Sequence, residues 1–144
     1  MTIAVILREK AGRGDDVVHV APQTTLRELV DVLTERRIGA VPVVEHGQVV
    51  GIMSERDVMH ALKRLGGSAL DRPVSEMMTA PAITVDPDTD LLDGLSLMTQ
   101  RRIRHLPVMH GAQMVGFVSI GDLVKARIDK IETEAEAMRA YIAS

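Results

Sequence analysis

One stretch of this chain occurs twice, and a fold that can hold it must hold two like units. Gly51-Ile-Met-Ser-Glu-Arg-Asp57 returns 65 residues later as Gly116-Phe-Val-Ser-Ile-Gly-Asp122. Sliding the sequence on itself by the same 65 residues aligns 17–60 with 82–125 without a gap, with 15 identities in 44 positions. The paired residues include Val20/Val85, Pro22/Pro87, Thr24/Thr89, Arg36/Arg101, Arg37/Arg102, Ile38/Ile103 and Pro42/Pro107. Self-similarity at a fixed spacing marks a supersecondary unit that stacks on its own copy.

Length and composition narrow the choice. The 144 residues suffice for one compact body, whereas two units of about 60 residues would each be marginal alone, so a shared core is expected. With one Phe, one Tyr and no Trp, that core must be built from Val, Ile, Leu and Met. A net charge of −3 argues against nucleic acid as a partner, because duplex binding rests on neutralising phosphates. Single-strand binding wants stacking aromatics that are nearly absent. Without cysteine there is neither a disulfide nor a thiolate metal site. No apolar run reaches signal-peptide or membrane-spanning length, so no membrane is expected and the expected compartment is the cytoplasm.

Local patterns give each unit a β-α-β-β-α order. In the first, Val17–Val20 reads as a strand closed by Pro22. Thr25-Leu-Arg-Glu28 is a capping-box signature that opens a helix over about 24–37. Two β-branched runs, Ala40–Val44 and Gln48–Met53, flank the hairpin signal Glu45-His46-Gly47, and Pro42 suggests an edge or a bulge. A second helix runs from Ser54 to about Leu65. The second unit repeats this with strands 82–85, 105–109 and 113–118 and helices from about 89 and from 119. Residues 1–10 are expected as a lead-in helix or arm. Gly66-Gly67-Ser68 reads as a linker, and Pro73 as the start of a short helix through Met78. Gly12-Arg-Gly14 lacks the third glycine and the preceding strand of a dinucleotide fingerprint. The division expected is 1–66, 67–128 and a C-terminal helical extension, 129–144. Along that last helix Val124, Ile128, Ile131, Ala135, Met138 and Ile142 keep the 4-3-4-3-4 spacing of a heptad seam. Its distal half is expected to meet another molecule.

A lone Ser-x-x-Asp at a helix start is a capping box and nothing more. Two in register, each behind a glycine and an apolar pair, suggest a site. The helix N-terminus favours a phosphate, a serine hydroxyl can donate to it, and a carboxylate one turn on can accept from both hydroxyls of a ribose. The glycine admits a ligand close to the backbone. Phosphate plus ribose points to a nucleotide.

On these residues the chain resembles a CBS (cystathionine β-synthase) domain pair, or Bateman module, of the stand-alone prokaryotic type, over roughly residues 1–128. The resemblance implies an α+β fold with pseudo-twofold symmetry. It also implies two clefts for adenosyl ligands (AMP, ADP, ATP, NAD(H) or S-adenosylmethionine), and assembly into a homodimer. It places Asp57 and Asp122 on ribose hydroxyls and Ser54 and Ser119 towards phosphate. Ile83-Thr84-Val85 and Val18-His19-Val20 would line the adenine pockets. Where the first unit has Gly39 and Ala40, the second has Arg104 and His105. The second unit is therefore expected to hold the stronger anion site, with Arg56 the substitute in the first. Alternatively, Arg101, Arg102 and Arg104 form a solvated helix end.

The function expected is a non-catalytic, energy-sensing regulatory module whose output is a regulated partner protein or its own dimer. A second reading is an interaction scaffold with vestigial clefts, working through the heptad helix. A hydrolase built on His105, Ser119 and Asp122 ranks last, since the first unit has no histidine at the matching position and no nucleophile elbow occurs. His46, His60 and His110 are expected as solvated residues, outside any metal-ligand spacing.

Overall fold

The computed structural model describes residues 1–11 and 17–144. The loop expected at Gly12, Gly14, Asp15 and Asp16 lies outside the described residues. The elements are α1 (Ile3–Ala11), α2 (Leu26–Arg36), β1 (Ala40–Glu45), β2 (Gln48–Ser54), α3 (Glu55–Leu65), α4 (Leu91–Arg101), β3 (His105–His110), β4 (Gln113–Ser119) and α5 (Ile120–Ala143). Two short 3-10 helices, Gly66–Asp71 and Val74–Glu76, join the halves.

Each unit is built on a hairpin, β1–β2 or β3–β4, with the same register and the same bulge, after Val43 in one and Val108 in the other. The first turn carries His46 and Gly47 at φ 50° and 76°, the left-handed pair that a two-residue hairpin needs. Pro42 is tolerated for a specific reason. Its carbonyl faces away from β2 and accepts from Val20 N–H at 3.2 Å, so its missing N–H costs no bond to β2. The expected strands at 17–20 and 82–85 shrink to one parallel bridge each, Val20 to Val43 and Val85 to Val108.

Both corner helices open as the serine pattern predicts. Ser54 and Ser119 are N-caps, and in each the capping box is complete. Thr25 caps α2 by accepting from the Glu28 amide. At the C-termini of α2 and α4, Arg37 and Arg102 adopt the left-handed conformation (φ 54° in both), and their amides close onto the last turn.

Two apolar clusters form the core, and the chain threads them in a way the repeat does not announce. The first holds Leu26, Leu29, Val41, Val43 and Met53 together with Ala69 and Val74 from the two 3-10 turns. The Gly66-Gly67-Ser68 stretch, read as a linker, is the exposed start of a 3-10 turn that is anchored by the buried Ala69. The second holds Leu91, Met98, Leu106, Val118 and Leu123 together with Ile3 and Ile6 from α1. The N-terminal arm, grouped by sequence with the first repeat, therefore packs on the second. Backbone bonds show the exchange to be symmetric. Ile3 and Ala4 N–H donate to Thr89 and Pro87 C=O, while Val74 and Ser75 N–H donate to Thr24 and Pro22 C=O. Leu91 N–H reaches Met1 C=O just as Leu26 N–H reaches Arg72 C=O. Each lead-in segment docks on the unit that it does not directly precede.

Candidate functional site

The two Ser-x-x-Asp corners fold alike and are covered by different segments. In the first, Asp57 Oδ2 accepts from Ser54 N–H at 2.9 Å and from Ser54 Oγ–H at 3.0 Å. Its Oδ1 accepts from Thr79 Oγ–H at 2.9 Å, so both oxygens are engaged within the chain. Arg56 reaches across to donate to the Arg102 carbonyl at 3.0 Å.

In the second, Asp122 Oδ2 accepts from Ser119 N–H at 2.8 Å and from Lys10 Nζ at 3.0 Å. Lys10 also donates to the Phe117 carbonyl at 2.9 Å. Among the described residues Asp122 Oδ1 has no hydrogen-bond partner. Burial pushes this carboxyl up, but the Ser119 amide and the Lys10 ammonium outweigh it and hold it below the usual carboxylate range.

Glycine is needed in front of each corner for closeness. A Cβ at Gly51 would lie 2.6 Å from Met78 Sδ and 2.9 Å from the Thr79 carbonyl oxygen. A Cβ at Gly116 would strike the end of the Leu7 side chain. Leu7 and Met78 occupy the same place in the two exchanged lead-in segments.

Asp122 faces a cleft of about 930 Å³ between the units. The second unit contributes His105, Phe117, Ser119 and Asp122, and α1 contributes Leu7 and Lys10. The first unit contributes Val17, Val18 and His19, then Arg36, Arg37 and Ile38 from the end of α2. The cleft is thus lined by apolar side chains together with arginine, lysine and aspartate. That volume lies within the range of small-molecule sites. His105 stacks on Phe117 with ring centroids 5.6 Å apart. Burial drives its imidazole below the usual histidine range against the pull of the Asp122 and Glu55 carboxylates.

The expected site residues divide. Val18, His19, His105, Ser119 and Asp122 come together in this cleft. Val20 and Val85 are buried in the two cores, with Ile83 packed against the second. Thr84 and Val85 border a separate cavity of about 660 Å³ beside α4. Ser54, Arg56 and Asp57 form the first corner and do not line the Asp122 cleft.

Arg104, expected to strengthen the second unit's own anion site, does not line that cleft either. Its carbonyl accepts from Ile120 N–H at 2.8 Å while its side chain is exposed. The cations there are Arg36 and Arg37 of the first unit and Lys10 of α1, because the cleft is assembled across the units. The arginine pair was visible in the repeat alignment. Leu7 and Lys10 had no such signal, since α1 reaches the site only through the exchange of lead-in segments.

Comparison with known proteins agrees with this architecture. The CBS domain family model matches twice, at residues 14–64 and 74–129. The mitochondrial CBS domain-containing protein CBSX3 of Arabidopsis thaliana is 34% identical over 147 aligned residues, covering 98% of this chain and 71% of that protein. The crystal structure of the CBS-domain protein ATU1752 of Agrobacterium tumefaciens superposes with a TM-score of 0.82 at 35% identity, over 88% of this chain and 99% of that one. Two more distant structures share the fold. The CBS pair of MJ0100 was crystallised with 5′-methylthioadenosine and S-adenosylmethionine (TM-score 0.77, 23% identity, 90% of this chain and 98% of that one), and CBSX2 with AMP (TM-score 0.69, 24% identity, 78% and 88%). With its duplicated corners, its pseudo-symmetric hairpins and two family matches that span most of its length, this chain belongs to the CBS-domain family and carries two CBS repeats.

Proposed function

We propose that this CBS pair is a non-catalytic regulatory module that binds an adenosyl ligand in the cleft between its repeats. The observation that carries the reading is Asp122. It is a carboxylate held ionised at a helix N-terminus, with one oxygen unpartnered among the described residues, in a cleft lined by apolar side chains and three cations. A ribose diol offers two donors to such a carboxylate, an adenine fits against Val17 and Val18, and a phosphate suits Ser119, Arg36 and Arg37. The adenosyl ligands in MJ0100 and CBSX2 support the ligand class at the level of the shared fold.

Ligand entry exchanges the Lys10–Asp122 contact for Asp122 on ribose and Lys10 on phosphate. Since Lys10 sits on α1, and α1 is part of the second core, occupancy is coupled to packing. The output passes to a partner protein or through the chain's own homodimer. A switch requires that the ligand bind one arrangement better than the other.

The test is titration calorimetry of ligand-stripped protein against AMP, ADP, ATP, NADH and S-adenosylmethionine. Binding of at least one is expected, with Asp122→Ala weakening it by about 1–3 kcal/mol through loss of a charge-assisted contact. Silence with all five overturns the proposal. A second reading, the interaction scaffold, draws on the uncovered apolar stripe of α5. It predicts that Asp122→Ala leaves partner binding intact.

A further inference from the structure

Beyond Ala126 no side chain of α5 is buried. Val124, Ile128, Ile131, Met138 and Ile142 are 42, 49, 48, 59 and 73% exposed, and with Ala135 they form one stripe along the helix. The stretch from Arg127 to Ala143 spans about 25 Å at 1.5 Å per residue. In proteins most helical stability comes from packing of an apolar face, so the stripe calls for cover.

The residues beside the stripe identify what covers it. Lys125, Glu132 and Arg139 follow Val124, Ile131 and Met138, and Arg127 and Glu134 precede Ile128 and Ala135. In a parallel two-stranded coil, the residue before a first seam position meets the residue five further on in the other strand. That sets Arg127 against Glu132 of a second copy, and Glu134 against its Arg139. An antiparallel pair with the whole stripe in register sets Glu132 and Glu134 against their own copies and Lys125 against Arg139. Opposite charges five apart have no use within one helix, where they point about 140° away from each other. Among the described residues none of Arg127, Glu132, Glu134 and Arg139 joins an ion pair. Lys125, which has no charged opposite in the parallel arrangement, is tied to Asp129 at 3.1 Å.

We propose that α5 forms a parallel two-stranded coiled coil with a second copy of this chain, with its seam running from Val124 to Ile142. The proposal specifies the self-assembly named above and does not depend on the nucleotide. Calorimetry reads the cleft and cross-linking reads the helix, so either can fail alone.

The chain has no cysteine, so Met138→Cys gives one unique thiol per chain. Mild oxidation of the full-length variant is expected to give a covalent dimer, and sedimentation of the unmodified protein twice the 15.7 kDa chain mass. Arg127→Glu turns two symmetric attractions into repulsions and is expected to lower dimer affinity about tenfold, with R127E/E132K restoring it. Ile128, Glu132 and Met138 are exposed and Arg127 is half-buried, and unchanged circular dichroism separates assembly from folding. A monomer, a trimer, or a dimer indifferent to Arg127→Glu overturns the proposal. So does a dimer that links Met138→Cys to Ile128→Cys in mixed samples but never to itself.

Discussion

Asp57 and Asp122 stand at the same place in two nearly superimposable corners, yet only one faces the cleft described here. Asp57 has both oxygens engaged by its own neighbours: Ser54 occupies one and Thr79 the other. Asp122 is held by Ser119 and by a lysine on a flexible stem, and among the described residues its other oxygen has no partner. The corner itself is conserved between the halves; what differs is the segment laid across it, Met78–Thr79 in one and Leu7–Lys10 in the other. A duplicated motif thus supplies two frames, and the non-repeated covering segments determine how each carboxylate is engaged.

The largest expected difference concerns the glycines. Gly51→Ala meets the Thr79 backbone, which cannot yield cheaply, and should cost about 2–3 kcal/mol of stability. Gly116→Ala meets only the end of the Leu7 side chain and should cost about 1 kcal/mol. Chemical denaturation of the two variants checks this, and equal losses would mean that the two covers are mechanically alike.

Next comes the carboxylate of the first corner. Asp57→Ala removes the reciprocal half of a capping box and the Thr79 bond, so it should cost about 1–2 kcal/mol of stability. It should leave ligand affinity at the Asp122 cleft nearly unchanged, as read by calorimetry.

The smallest effect is on pH dependence. Both perturbed groups of the open cleft, Asp122 and His105, are shifted down, so the unfolded chain binds more protons than the folded one between each folded and unfolded value. Their stabilisation is fully present above the ordinary histidine range. It is lost in two stages as pH falls, first through the lowered His105 value and then through that of Asp122. Thermal midpoints measured from pH 8 downwards should fall in this order, and Lys10→Met should shrink the second stage, because it removes a contact that lowers Asp122.

Much of this was legible in the sequence because it is local. Cap residues, glycine-bearing hairpin turns and alternating β-branched runs act within a few positions, and the 65-residue repeat fixed the order of elements. The first strand of each unit was overread. A mostly apolar stretch of four looks like a strand, but only Val20 and Val85 find a partner, on the outer side of β1 and β3. The exchange of lead-in segments was not legible for a different reason. Those segments correspond at a spacing of 71 residues (Ile3 with Val74, Leu7 with Met78), and they share shape rather than sequence. Two of the cleft's three cations were in plain view, as the repeated arginines before Ile38 and Ile103. Lys10 depended on a contact 112 residues away along the chain.

The exchange also has a bearing on synthesis. A ribosome releases α1 first, but the surface that receives Ile3 and Ile6 is finished only when Leu123 and Ala126 emerge. The first unit, by contrast, is complete once Met78 has left the tunnel. A helix translated before the rest of this fold is thus among the last of its elements to dock, and its apolar face waits for its seat.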